Sequence, residues 1–168
     1  YYQQLFDIPV TRKDTPSSYS AVNEGMSYLF SDKDSLVNSG TGRNYGLELT
    51  FERFFSRGYY YLITTSLYDS KYKGSDGVLR NTAFNGRFVF NVLAGKEFKI
   101  NDRSKLMIDL KVTNAGGKRY TPVNYEASSI EKKEVRFEDR AYSDKFDSYF
   151  RTDLKITYRL NSLRVAHE

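Results

Sequence analysis

The chain contains no cysteine, no tryptophan and a single histidine, His167. Without cysteine there is no disulfide staple, no zinc ribbon and no thiol chemistry. One histidine without a neighbouring partner leaves no Ser-His-Asp triad and no ordinary transition-metal site. His167 reads as a strand-surface or interfacial side chain. Proline is scarce, three in 168 residues. No apolar run reaches the ~18 residues that a membrane-crossing helix needs. No signal peptide is recognisable, and the chain begins at Tyr1 without a methionine, so it reads as an excised or processed segment.

Aromatic residues are abundant: 15 Tyr and 12 Phe. Such residues favour strands, and tyrosine suits a surface that is apolar on one side and wet on the other. With 39% hydrophobic and 28% charged residues, wholesale disorder is excluded. The net charge of +5 comes from 26 basic and 21 acidic residues intermixed along the chain, which describes a mixed solvated face.

Period-two alternation recurs, while helical periodicity is weak. Asn44–Gly74 reads as two long strands joined by a three-residue turn, Ser56, Arg57 and Gly58. In the first, Tyr45, Leu47, Leu49 and Phe51 oppose Glu48, Thr50 and Glu52. Soluble strands usually run to about five or six residues, whereas a tilted strand crossing a bilayer needs about nine to eleven. Strands are also expected at Tyr1–Ile8, ended by Pro9, from Gly86 to Phe98, and over Leu106–Val112. The cleanest is Tyr149–Leu160, where Phe150, Leu154, Ile156 and Tyr158 oppose Arg151, Asp153, Lys155 and Arg159. Leu163–Glu168 begins a further one. Polar loops are expected over Thr11–Arg43, Tyr72–Asn85 and Lys118–Asp147, and tight turns at Ser56–Gly58, Asn101–Ser104 and Asn161–Ser162.

The connections thus alternate long and short. An antiparallel up-and-down sheet sorts them, with every short turn at one end and every long loop at the other, as in outer-membrane barrels. The short turns are then periplasmic, and Phe54, Phe55, Tyr59 and Tyr60 form an aromatic girdle there. Charges at every second position are costly facing lipid but natural facing a polar lumen. Glu48, Asp109, Lys111, Arg151, Asp153 and Lys155 are the lumen-facing candidates. A sandwich strand with one solvated face shows the same alternation; strand length and loop sorting favour the barrel.

Other motifs are weaker. Asp32 and Asp34 hint at a calcium loop but lack its central glycine and distal glutamate, so a solvated turn is the plainer reading. The run Ala115–Tyr120 lacks the strand-to-helix context of a phosphate loop; its glycines release a strand or allow close backbone approach. Glu48 and Glu52 have no opposing carboxylate at a catalytic separation, and no enzyme, cofactor or metal is expected. Arg12, Tyr19, Arg80, Asn81, Arg119, Tyr120 and Tyr125 combine donors with aromatic platforms in the loops, the mixture that suits a polar or sugar-like ligand. A nucleic-acid surface would interleave aromatics and basic residues on one face; here they occupy opposite faces.

Ser31–Asn38, Gly40–Gly77, Arg80–Phe98, Ala115–Asn124, Asp139–Asn161 and the terminal Val165–Glu168 together resemble the C-terminal barrel region of TonB-dependent outer-membrane receptors of the Bacteroidetes type. The resemblance implies an all-β fold in which residues 1–168 form one segment, a partial transmembrane barrel with roughly seven strands of the ~22 that close such a barrel. It implies active nutrient uptake through the outer membrane of a Gram-negative bacterium. Implied partners are outer-membrane lipid, the rest of the barrel, the plug domain, a nutrient ligand, and the TonB complex acting through the plug, which this chain lacks. The competing expectation is a soluble β-sandwich adhesin or carbohydrate-binding module.

Overall fold

The computed structural model describes residues 1–14, 16–25 and 35–161. The Asp32/Asp34 pair, His167, Leu163–Glu168 and Ser162 lie outside these residues. Strands dominate: β1 (Tyr2–Thr11), β2 (Leu36–Ser56), β3 (Tyr59–Lys73), β4 (Leu79–Asn81), β5 (Phe88–Lys99), β6 (Ser104–Ala115), β7 (Arg119–Tyr120), β8 (Asp144–Lys145) and β9 (Tyr149–Leu160). Seven belong to one sheet in the order β1-β2-β3-β5-β6-β9, with β4 pairing on β3, while β7 and β8 make a separate ribbon. The fold is therefore all-β and antiparallel, with sequential strands as neighbours. Among the described residues the sheet does not close into a barrel.

Five sequence expectations are corrected. The turn joining β2 and β3 has two residues, not three, because Arg57 (φ 53°) and Gly58 (φ 81°) both adopt the left-handed conformation of a type I′ hairpin turn. The first polar loop is shorter than expected. Leu36–Arg43 is already strand, pairing Val37 with Val10 and Asn38 with Pro9. The glycines of this stretch are there for space, since a Cβ on Gly40 would lie 2.5 Å from Val10 Cγ1. β1 also runs through Pro9 to Thr11. It tolerates the proline because it ends the strand order and its register shifts on either side of Ile8, with Asp7 at φ 54°.

The second loop holds β4, which pairs Leu79, Arg80 and Asn81 with Lys73, Tyr72 and Lys71. The third holds β7, β8 and a short helix, α1 (Tyr125–Glu131). Asn124 caps the helix by accepting the Ala127 N–H at 3.0 Å, and Lys132 ends it at φ 51°. The expected compact turn after β5 is present. Asn101 Oδ1 accepts from the backbone N–H groups of Arg103 (2.9 Å) and Ser104 (2.8 Å).

The chain divides into two compact units. The first comprises Tyr1–Leu47, Leu67–Phe88 and Gly116–Ser148 and contains the long connections. All the buried hydrophobic side chains described are here: Val10, Tyr72, Ala83 and Ala141. Tyr72 donates to Ser18 O at 2.8 Å and meets the Tyr142 ring edge-on at 6.0 Å. Burial raises the Tyr142 phenol above its ordinary value. Gly116 and Gly117 press on the backbone of Gly86 and of Phe146–Asp147, the close approach read from the sequence.

The second unit comprises Glu48–Ser66, Val89–Ala115 and the segment from Tyr149 on. It contains both described short turns. Among its described residues only Gly95 and Ser104 are buried. It is a sheet without a covering layer.

Replacing Gly116 with alanine drives a Cβ into the Gly86 carbonyl; the expected cost is ~1–3 kcal/mol of stability. Gly77→Ala, at φ 72° in open space, should cost only ~1 kcal/mol. Guanidinium unfolding followed by far-UV circular dichroism compares them, with Gly116→Ala expected to give the larger fall in midpoint.

Candidate functional site

Two polar arrangements carry the candidate residues, one in each unit. In the second unit, strand register assigns every side chain to a face. Phe90, Val92, Ala94, Lys96 and Phe98 of β5 lie beside Asn114, Val112, Leu110, Ile108 and Leu106 of β6. These β6 residues lie in turn beside Phe150, Thr152, Leu154, Ile156 and Tyr158 of β9. That face is apolar and open: Leu154 is 64% exposed, Ile156 63% and Tyr158 58%.

The other face is charged. Asp109 lies opposite Lys155, Lys111 opposite Asp153, and Thr113 opposite Arg151. Arg151 donates to Asp153 Oδ1 from Nε (2.9 Å) and Nη2 (2.7 Å), and Lys105 pairs with Glu97 at 2.7 Å. Five lumen-facing candidates, Asp109, Lys111, Arg151, Asp153 and Lys155, thus share one face. Glu48 joins them by contact, since Ser66 Oγ donates to Glu48 at 3.4 Å and Asn91, on the charged face, donates to Thr64 at 3.2 Å. A recess of about 270 Å³ lies among Glu48, Thr50, Thr64, Ser66 and Asn91.

Tyr60 departs from its expected place in the girdle. Its ring lies 6.5 Å from that of Phe55, but its hydroxyl turns to the charged face and donates to Asp109 Oδ1 at 2.8 Å. Gly95 makes this possible, because any Cβ there would collide with the Tyr60 ring and the Asp109 carboxylate.

In the first unit the hub is Asn85, which is fully buried. Its Nδ2 donates to Asp69 Oδ1 and to Asn81 Oδ1, both at 2.9 Å, and its backbone carbonyl accepts from Arg119 Nε at 3.2 Å. Arg119 Nη1 also donates to Ser143 O at 3.0 Å. Burial and the neighbouring Arg87 lower the Arg119 pKa. Asp69 accepts in addition from the Tyr45 hydroxyl at 3.1 Å and pairs with Lys71 at 3.6 Å. Burial pushes the Asp69 carboxyl up, but the bonds from Asn85 and Tyr45, with Lys71 and Arg87 nearby, bring it net below the usual range.

Two ligand-contact candidates therefore meet here, Asn81 and Arg119, both bonded to Asn85, whereas Arg80, next to Asn81 on β4, turns elsewhere. The Arg80 side chain is nearly buried and pairs with Asp76 at 2.7 Å. The other four are dispersed. Arg12 makes a solvated pair with Asp14 at 3.4 Å, and Tyr19 donates to Glu24 at 2.7 Å. Tyr120 packs its ring 4.5 Å from Phe146, while Tyr125 opens α1 and is 83% exposed.

Asn85 and Asp69 were not singled out in the sequence. Asn85 precedes a glycine and reads there as turn punctuation; only the fold brings Asp69 and Arg119 to it. Among the described residues no group of three or more His, Cys, Asp or Glu side chains could hold a metal ion. No known family model, curated protein or solved structure matches the chain.

Asn85→Ala removes two donors from part-buried acceptors, with an expected cost of ~1–3 kcal/mol. Because the Asp69 pKa is lowered on folding, its contribution is fully present above the ordinary aspartate range. It is lost as pH falls through the folded value. Acid titration of stability should show this loss in the wild type and a shallower one in Asp69→Asn.

Proposed function

We propose that the chain is part of the barrel wall and loops of a TonB-dependent outer-membrane receptor for nutrient uptake. The observation that carries this reading is the sheet of the second unit. It has an uncovered apolar face on one side and a laddered charged face on the other, over strands β5, β6 and β9 of 12 residues each. Twelve residues exceed the usual soluble strand and meet the ~9–11 needed to cross hydrocarbon at a tilt. Lipid covers the apolar face, and Asp109, Lys111, Arg151, Asp153 and Lys155 line the wet interior.

A β-sandwich would place a second sheet ~10 Å from the apolar face. Among the described residues no such sheet belongs to this unit. Contiguous exposed apolar surface of this kind marks a membrane or partner.

In this reading the crossing segments are Glu48–Ser66, Val89–Ala115 and Tyr149–Leu160. The connections of 2 and 4 residues, Arg57–Gly58 and Ile100–Arg103, face the periplasm. The long connections, with Asn81 and Arg119 drawn together at Asn85, face outward and contribute to the nutrient site. The remaining strands, the plug and its contact with TonB are supplied by polypeptide beyond this chain. No catalytic role is assigned. The edges at β1 and β9 pair with neighbouring strands of the barrel, which removes an aggregation hazard.

The test places a charge at mid-strand. Ile108→Lys and Ile156→Lys should each cost ~2–4 kcal/mol of insertion if the apolar face meets hydrocarbon, whereas Lys155→Gln on the opposite face should cost little. Protease protection after reconstitution into phospholipid vesicles reads the difference. A protein that stays monomeric and monodisperse without detergent, and melts cooperatively there, contradicts the reading.

A further inference from the structure

The apolar face of β5, β6 and β9 carries one charged side chain among the described residues, Lys96. Its cross-strand neighbour is Ile108, whose own neighbour is Ile156. The acidic side chains of these strands, Glu97, Asp109 and Asp153, all belong to the opposite face. Lys96 is exposed, and its nearest described aromatic partner is Phe98, with Nζ 4.9 Å from the ring centroid. A charge facing hydrocarbon is costly unless it snorkels to the interface and meets an anion there. Lys96 stands three residues before the end of β5 at Lys99, ~10 Å along the strand at ~3.3 Å per residue. A lysine side chain at that depth reaches headgroup level.

Beside it runs a groove of about 500 Å³, walled by Tyr59, Tyr61, Ala94, Phe98 and Ile108 together with Lys96. Apart from the lysine, these walls are aliphatic and aromatic. A second cation stands at the Tyr59 wall: the Arg53 guanidinium lies 4.2 Å over the Tyr59 ring. Its Nε is buried and has no acceptor among the described residues. Both short turns of the second unit lie within a few residues of this groove, at Arg57–Gly58 and Ile100–Arg103.

We infer that this groove binds an anionic phospholipid at the short-turn side of the bilayer. An acyl chain lies along the Tyr59–Tyr61 and Phe98 walls, and Lys96 takes the phosphate, with Arg53 as the second donor. The site rests on the lipid-facing assignment of the apolar face. The choice of a lipid over a free anion follows from the aliphatic and aromatic walls, which suit an acyl chain and which a free anion would leave uncovered. The choice of an anionic headgroup follows from Lys96, which has no carboxylate beside it on the described face of β5, β6 and β9, and from the second cation over Tyr59.

Electron spin resonance on the protein reconstituted in phosphatidylcholine vesicles tests the site. Trace spin-labelled phosphatidylglycerol is compared with trace spin-labelled phosphatidylcholine for the fraction immobilised at the protein surface. The anionic lipid should be preferred about tenfold at one site, as a charge-assisted pair warrants. Lys96→Gln should abolish the preference and Arg53→Gln should reduce it. Lys155→Gln, which removes the same charge from the other face, should leave it intact. Equal immobilisation of both lipids overturns the site, as does an equal loss in Lys155→Gln. If neither lipid is immobilised, the lipid-facing assignment falls as well; immobilisation without preference removes the headgroup site alone.

Discussion

The second unit depends on one constraint: its sheet has an apolar face and no layer of its own to place over it. Phe90, Leu110, Leu154 and Ile156 share that face by register, and none is buried. Such a face must be covered by something other than this part of the chain. What covers it has to be apolar and extended, because the face runs the length of 12-residue strands. The charged face follows from the same pleat, since period-two alternation sends Asp109, Lys111, Asp153 and Lys155 to the opposite side. There they neutralise one another across strands, Asp109 beside Lys155 and Lys111 beside Asp153. The pairing keeps a charge-rich surface close to locally neutral.

The first unit is organised on a different principle. Its interior is small and largely polar, with Asn85, Thr82, Asn23 and Ser20 buried beside Val10, Tyr72 and Ala83. Cohesion comes from directional bonds between segments far apart in sequence. Ser18 donates twice to Glu138 at 2.8 Å, Thr11 and Ser75 share a 2.7 Å hydrogen bond, and Asn23 accepts the Ala83 N–H at 2.8 Å. These bonds tie remote segments to one another at defined points. Long connections tied in this way can present donors such as those of Arg119 and Arg80 without the freedom expected of loops.

Much of the strand content could be read directly. The alternation in Tyr149–Leu160 placed Asp153 and Lys155 on the face that β9 gives them, and Leu106–Val112 was equally clear. Reading failed where side chains do not alternate. Leu36–Arg43 is rich in glycine, serine and asparagine and carries no strand signal, yet it pairs with β1 because Gly40 lets Val10 and Ile8 come close. Ser56 reads as part of a three-residue turn, because the positive φ that closes the hairpin at Arg57 cannot be inferred from an arginine. Tyr60 was assigned to an aromatic girdle by residue type, whereas the vacancy over Gly95 turns its hydroxyl to Asp109.

By itself the sequence determined the β class, the long strands, the two-faced pattern and the alternation of short and long connections. Each depends on local periodicity or on turn chemistry, which neighbouring residues set. Only the tertiary structure decided which loop residues meet. Arg119 reaches Asn85, and Glu138 reaches Ser18 across 120 positions. It also decided that Lys96 stands alone among apolar neighbours, because register between strands, and no pattern within one, chooses what lies opposite.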